Sequence, residues 1–251
     1  ADRIAEDPTY LSTPPLPNTI SAAFDAPFGH TVIDPCWLID VGNLLHHWRQ
    51  YLIEQHALIE DVFDFNKLDV KADQITYSNC TANKIIFCEG AKGEDNPYFK
   101  KLPFAPNKGE ALLVDIKDLD NQFIYKKTVS IVPWKDSIFW VGSNYEWNHH
   151  NDEPSLAFKE KTIAALNEWL KLPYQVLDHI AAIRPANMQR RPFVGMHPTY
   201  TNMGIFNGMG TKGCSLAPYF AEQMTGHILH QTPIENEATI EGNSAFKANW
   251  V

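Results

Sequence analysis

The sequence predicts a mixed α/β fold, large enough for one domain or two small ones, from three observations. Residues 184–218, RPANMQRRPFVGMHPTYTNMGIFNGMGTKGCSLAP in outline, run from arginines and prolines through a short apolar strand to a glycine-rich loop and a helix. Residues 35–54 carry apolar side chains at helical spacing. Between them, residues 96–142 hold short apolar runs separated by turn residues, the pattern of an antiparallel sheet. At 251 residues the chain can bury a substantial core. Its 44% hydrophobic and 20% charged content is that of a globular protein. A net charge of −9 with no basic block argues against a nucleic-acid partner. No apolar run reaches the roughly 20 residues of a membrane helix and no N-terminal signal segment is visible, so no membrane partner and a cytoplasmic location are expected.

Residues 1–30 are rich in proline (Pro8, Pro14, Pro15, Pro17, Pro27) and aperiodic, which predicts an extended surface segment ending in a strand near 29–33. Asp34-Pro35 reads as a helix start, an acceptor side chain followed by a residue with a preset φ. Leu38, Val41, Leu45, Trp48 and Leu52 then share one face of a helix ending near Glu54. Short strands are expected at 58–63, 67–70, 75–77 and 84–88. The last, KIIFC, has the pattern of a strand buried on both faces. It ends in Glu89-Gly90-Ala91, where small side chains let a ligand approach the backbone, or where the strand simply turns. Strands at 111–116, 129–132 and 138–142 follow, the last two paired across a turn. Residues 144–154 form a polar, aromatic loop, and Ser155 caps a helix to about Leu170 with Ile163, Leu166 and Leu170 inward. A final strand at 176–183 feeds into the arginines.

Gly208, Gly210 and Gly213 spell GxGxxG, the dinucleotide fingerprint. That fingerprint needs a following strand with an acid about 20 residues on. Glu235 and Glu237 stand near that spacing, but no strand pattern surrounds them. The loop therefore reads as an anion-facing turn that closes a fold begun earlier, backed by the unpaired N–H groups of the next helix, or as a plain turn. In that helix Leu216, Phe220, Met224 and Ile228 form a packing stripe, with Pro218 in the first turn and His227 and His230 in the last. Cys36, Cys80, Cys88 and Cys214 lack CxxC spacing and read as reduced, partly buried thiols. The adjacent pairs His46-His47 and His149-His150 do not converge on one ion, so no metal site is expected.

Six segments in order, IDPCWLIDVGNLLHHWRQYL, NKIIFCEGA, PNKGEALLV, IFWVGSNYEW, IRPANMQRRPFVGMHP and IFNGMGTKGCSLAPYFAEQM, resemble the FAD-dependent oxidoreductases of the D-amino-acid oxidase and glycine oxidase type. The resemblance covers residues 29–240. It implies an incomplete, Rossmann-like FAD-binding domain from 35–95 with 184–251, and a mixed, mainly antiparallel substrate-binding domain from 20–34 with 96–183, residues 1–19 being an extended segment. About a hundred family residues bearing the N-terminal GxGxxG loop have no counterpart before Pro35. By that reading the chain is the C-terminal part of a flavoprotein and holds FAD weakly or not at all alone, with self-association through the surface left open.

The same resemblance implies FAD as cofactor and an amino acid or related amine as substrate, oxidised by hydride transfer without an obligatory protein base. Arg184 matches the arginine of the family's RP motif, the catalytic-site residue that grips the substrate carboxylate with its planar fork. Arg190 and Arg191 either touch ligand or brace their loop, with Arg191 assigned to substrate. Tyr145, beside Glu146, lines the pocket. Gly90 and Ala91 match the strand end that passes the cofactor diphosphate. Gly208, Gly210, Thr211, Lys212 and Gly213 match the loop beside the flavin ring, where the helix start and Lys212 stabilise negative charge on the reduced ring; Lys212 as a solvated surface lysine is the alternative. For the whole chain the alternative is a non-catalytic binding or interaction module derived from that fold.

Overall fold

Proline does not keep the N-terminal segment extended, as its aperiodicity predicted. β1 (Leu11–Ser12) pairs antiparallel with β2 (Val32–Ile33), and α1 (Asn18–Ala23) lies between them with Ile20 and Ala23 buried. Pro17 stands just before α1, where a missing N–H leaves no helical bond unmade. The computed structural model describes residues 9–242 apart from Leu16. Residues 1–8 of the expected extended segment lie outside the described residues.

α2 (Val41–Glu54) begins later than Asp34-Pro35 predicted. Asp40 is the cap, its carboxylate accepting from the Asn43 N–H at 2.9 Å. An Asp nearer the apolar run satisfies the same free donors, so the earlier pair is left as bend. No residue of α2 is buried, and Leu45 and Trp48 on its apolar face are 60% and 57% exposed. Residues 58–63 form no strand. There the Asp61 side chain takes the Val62 N–H at 2.8 Å and the Tyr77 hydroxyl the Asp64 N–H at 3.0 Å, removing donors a ladder needs. β3 (Leu68–Val70), β4 (Ile75–Tyr77) and β5 (Cys80–Ala82) make a small antiparallel sheet. β6 (Ile85–Phe87) buries Phe87 but leaves Ile85 and Ile86 half-buried. Ile85 and Phe87 pack on one face of the sheet and Ile86 on the other, so both faces are covered as predicted, while among the described residues β6 pairs with β13 alone.

β7 (Asn107–Asp115), β8 (Tyr125–Lys126), β9 (Ser130–Lys135) and β10 (Ile138–Gly142) follow, then α3 (Leu156–Asn167) and β11 (Gln175–Arg184). The strands form one sheet in the order β11-β7-β10-β9-β8. The predicted hairpin is present, with Ile131 opposite Val141. β7 starts earlier than expected and carries Lys108, Glu110, Leu112 and Val114 at alternate positions, hence on one face. Leu112 and Val114 join Phe139, Val141, Leu166 and Trp169 in the core, and Phe24 stacks on Trp169 with ring centroids 4.5 Å apart. Ser155 caps α3 as predicted, its Oγ accepting from the Phe158 N–H at 3.3 Å. Leu170 is buried from the segment after the helix, not from within it.

β11 is not the final strand. β12 (Phe193–Met196) pairs antiparallel with β13 (Met203–Asn207), and β13 runs parallel to β6 in register Met203–Ile85 and Ile205–Phe87. Prolines on both sides of FVGM hid β12 in the sequence. α4 (Gly213–His230) buries Phe220 and Met224 against Val194 on one face of this sheet, while Phe193 and Ile205 face Phe87 and Phe99 on the other. Pro218 lies a turn deeper in α4 than predicted. The four cysteines are free and exposed, not partly buried.

Two compact units result. The first takes the described residues up to Leu38 with Asn107–Ile183, and the second takes Ile39–Pro106 with the described residues from Arg184 onward. Residues 96–106, assigned from sequence to the substrate sheet, fall in the second unit.

Candidate active site

Parallel pairing of β6 with β13 brings two glycine turns to the same sheet edge, at the carboxyl ends of the strands. Gly90 follows β6 and Gly208 follows β13. Asn207, 4% exposed, joins them: its Nδ2 donates to the Gly90 carbonyl at 2.9 Å and its Oδ1 accepts from the Gly208 N–H at 2.7 Å. Asn187, 1% exposed, ties the arginine loop to the same place. Its Nδ2 donates to the Gly208 carbonyl at 3.3 Å and to the Arg191 carbonyl, and its Oδ1 accepts from the N–H groups of Gln189 (3.0 Å) and Arg191 (3.2 Å). The Gly210 N–H reaches the Pro185 carbonyl at 3.1 Å. Sequence reading missed both asparagines; the Asn207-Gly208 dipeptide was the available signal, since Asn-Gly marks a turn.

The glycines divide by what surrounds them. Gly208 has φ +77°, and a Cβ there would sit 2.9 Å from Asn187 Nδ2, so packing and conformation both demand glycine. Gly90 (φ +61°) and Gly210 (φ +56°) have left-handed φ but face open space, with nothing within 4 Å of where a Cβ would be. Backbone exposed in this way is where a bulky anion or ring can approach, so these residues fit a diphosphate and a flavin edge.

α4 begins beside this loop, at Gly213, with no side-chain cap and no acid in its first turn. Its first N–H groups and dipole thus favour an anion. Thr211 and Lys212 are exposed in the short turn before it. Beside Gly90, burial raises the Glu89 carboxyl above its ordinary pKa, a hydrogen bond from Asn96 at 2.7 Å opposes this, and Asp95 adds to it. Ala91 is half-buried in the turn that follows.

Arg184, half-buried, is the last residue of β11 and the first of the second unit. Arg190 and Arg191 are exposed, and Arg190 adopts φ +55°. The backbone of Arg191 is what Asn187 holds, which makes this residue a brace of the loop whatever its side chain does. Glu235 accepts from Gln223 at 3.1 Å and from the Tyr219 hydroxyl, packing onto α4 instead of serving as a fingerprint acid.

Tyr145 lies in the first unit, 60% exposed in the loop after β10. Beneath that loop is a cluster the sequence reading passed over, carried by the KGE of PNKGEALLV. Lys108 Nζ stands 3.6 Å from Glu110 and 3.1 Å from Glu146, and His179 Nε2 stands 3.0 Å from Glu110. Burial favours the neutral form of both Lys108 and Glu110. The Glu146 hydrogen bond and the charges of Glu110 and Glu146 nonetheless carry Lys108 above its ordinary value, and the Ser155 N–H and hydroxyl, with Lys108 and His179, hold Glu110 below its own. Both are therefore ionised at neutral pH. Among the described residues no helix is long and apolar enough to cross a membrane.

A family model described as FAD dependent oxidoreductase (DAO) matches residues 16–226. Among solved structures, iminodiacetate oxidase from Chelativorans sp. BNC1 is similar with a TM-score of 0.67 at 18% identity, over 95% of this chain and 70% of that one. Glycine oxidase from Bacillus cereus ATCC 14579 is similar with a TM-score of 0.54 at 15% identity, over 70% of this chain and 49% of that one. Fructosamine oxidase from Aspergillus fumigatus follows at 0.55 and 10%, over 71% and 50%. At such identities the likeness is one of fold, and this chain spans about half the length of the latter two.

Proposed function

This chain belongs to the FAD-dependent oxidoreductase family, and from that premise we propose that its parent protein oxidises an amino acid or related amine. FAD, when bound, would supply the hydride acceptor for the substrate's α-hydrogen, the oxidised substrate being an imine that water hydrolyses. The second unit would hold the cofactor. Gly90 and Ala91 would let the diphosphate approach the end of β6, and Gly208, Gly210, Thr211 and Gly213 would let the ring approach the end of β13. The first N–H groups of α4, with Lys212, would offset negative charge that develops on the ring. Arg184 would grip the substrate carboxylate by two parallel bonds, with Arg191 as a second cation on that loop. Tyr145 would line the substrate pocket.

The observation that carries this reading is the pair of open, left-handed glycines, Gly90 and Gly210, clamped at one sheet edge beside an uncapped helix start. Absorbance between about 300 and 550 nm, before and after incubation with FAD and desalting, tests it. Retained flavin bands that amines bleach without oxygen are the supporting result. FAD that stays free at millimolar concentration, or bound flavin that no amine or amino acid reduces, counts against it.

A second reading, an interaction module that associates with itself, is favoured by the exposed apolar face of α2. Sedimentation over a range of concentrations distinguishes it: mass that rises with concentration supports association, and a constant monomer mass removes it.

A further inference from the structure

We propose that Glu110 is a positioning residue whose buried carboxylate clamps the loop of residues 143–155, and with it Tyr145, onto the five-stranded sheet. The loop is long and polar, carries the exposed aromatics Tyr145 and Trp147, and has almost no regular structure. Such a segment ordinarily opens at little cost. Here it is fastened at its start, middle and end to one short stretch of β7.

At the start, the Glu110 N–H donates to Asn144 Oδ1 at 2.8 Å. In the middle, Lys108 and Glu146 exchange backbone bonds of 3.0 and 2.9 Å, and the Lys108 ammonium meets the Glu146 carboxylate at 3.1 Å. At the end, Lys108 Nζ donates to the Glu153 carbonyl at 3.1 Å, while the two Glu110 oxygens accept from the Ser155 N–H at 2.6 Å and hydroxyl at 2.8 Å. The Glu110 side chain is 0% exposed and that of Lys108 5%. Both project from the core-facing side of β7, where an apolar residue would pack with less desolvation cost. A third partner, His179 on β11, meets Glu110 at 3.0 Å and stacks on Phe158. Within the first unit, one carboxylate thus meets β11 as well as the loop that carries Tyr145.

Loop fastening explains the arrangement better than core stability does. The Glu110 carboxylate meets both ends of the loop, Ser155 at the far end and Asn144 Nδ2 at the near end (3.5 Å), and β11 through His179. The two nearer partners of Lys108 Nζ, Glu146 and Glu153, are both loop residues, the third being Glu110 at 3.6 Å. The proposal rests on the oxidoreductase reading only for its effect on turnover; the loop's motion is a separate observable.

Hydrogen exchange and steady-state kinetics of Glu110→Gln, with Asn144→Ala as a milder variant, test it. For Glu110→Gln the expected result is exchange faster by about tenfold or more across 143–155, with the paired amides of β9 and β10 unchanged. In turnover, KM for an amine substrate rises about tenfold while kcat moves by less than about threefold, because positioning of the substrate and not hydride transfer is impaired. Asn144→Ala should loosen 143–147 alone. Wild-type exchange of the loop in both variants overturns the clamp. So does equal loosening of β7, β9 and β10 in Glu110→Gln, which would make Glu110 a core residue only. If the wild type turns over no amine, the exchange result still decides this proposal, and the oxidoreductase reading fails by itself.

Discussion

The two units fix their candidate functional loops by opposite means. In the first, a loop is held by ionised side chains buried under it, Lys108 and Glu110. In the second, the glycine turns are held by two buried but neutral amides, Asn187 and Asn207. The difference follows from what each place must leave available. A buried charge near Gly90 and Gly210 would either compete with an incoming anion or pair with it. A neutral amide fixes the same backbone and leaves the field of the α4 N-terminus unopposed. Beneath the Tyr145 loop no such demand exists, and charge-assisted bonds fasten a polar segment more firmly than neutral ones.

The largest effect is expected where the charges are buried. Glu110→Ala leaves the buried Lys108 with Glu146 as its one carboxylate among the described residues and takes the acceptor from the Ser155 N–H and hydroxyl, and should cost about 3–5 kcal/mol in denaturant melts. Replacing Glu110 and Lys108 together by Met and Leu should cost clearly less, since no charge is left uncompensated. A double variant as unstable as the single one would contradict the ionic account.

In the second unit, Asn187→Ala leaves the Gly208 carbonyl and the Gln189 and Arg191 N–H groups without their partner. A loss of about 1–3 kcal/mol is expected, with weaker flavin retention. The two glycines should separate stability from binding. Gly208→Ala places a methyl against Asn187 and Phe193 and should both destabilise the protein and weaken flavin binding. Gly210→Ala adds a methyl to open space, so only the left-handed backbone resists, at about 1 kcal/mol, while flavin retention falls as far as in Gly208→Ala.

The smallest effect is one of pH. Burial, partly opposed by a bond to the Tyr98 backbone, holds His197 below its ordinary 6.5; its Nδ1 accepts from the Thr199 and Tyr200 N–H groups at 3.0 Å each. A depressed histidine contributes stability above about pH 6.5 that is lost as pH falls through the folded value. Glu110, depressed from 4.5, contributes stability above about pH 4.5, and Lys108, raised from 10.5, contributes stability below about pH 10.5. The first unit should therefore hold its exchange protection from pH 7 down to about 4.5, and the second should begin to lose protection below about 6.5. Glu89, raised by burial, gains stability as pH falls and works against this, so His197→Gln is the control that should flatten the His197 contribution. Equal pH dependence in wild type and His197→Gln would remove the histidine from the account.

Most of what was legible in the sequence was local. The hairpin of β9 and β10, the Ser155 cap and the α4 stripe were each written in a few neighbouring residues. So were the two glycine turns, including Gly90 and Gly210, which prove open. What stayed hidden depends on distant partners. KIIFC does pack on both faces, but that among the described residues β6 pairs with β13 alone, and that Ile85 and Ile86 stay half-buried, was not written in it. The stripe of α2 shows periodicity but not whether anything covers it. Asn207 has no signature beyond an Asn-Gly turn, because its role arises from a parallel pairing between residues more than a hundred apart, and Asn187 has none at all, its bonds depending on where the chain returns at Gly208. Lys108 and Glu110 were passed over, since an inward-facing charge looks like an outward one until its partners, Ser155 and His179, are in place.

Titration of FAD into the wild-type chain and into Gly210→Val, followed by flavin fluorescence and paired with thermal melts, is the most direct measurement of the central claim. Saturable, if weak, binding to wild type is the expected result, reduced about tenfold or more in Gly210→Val while its melting changes only by what a left-handed valine costs. Binding of equal strength in the two proteins, or none to either, would contradict the assignment of these turns to the flavin.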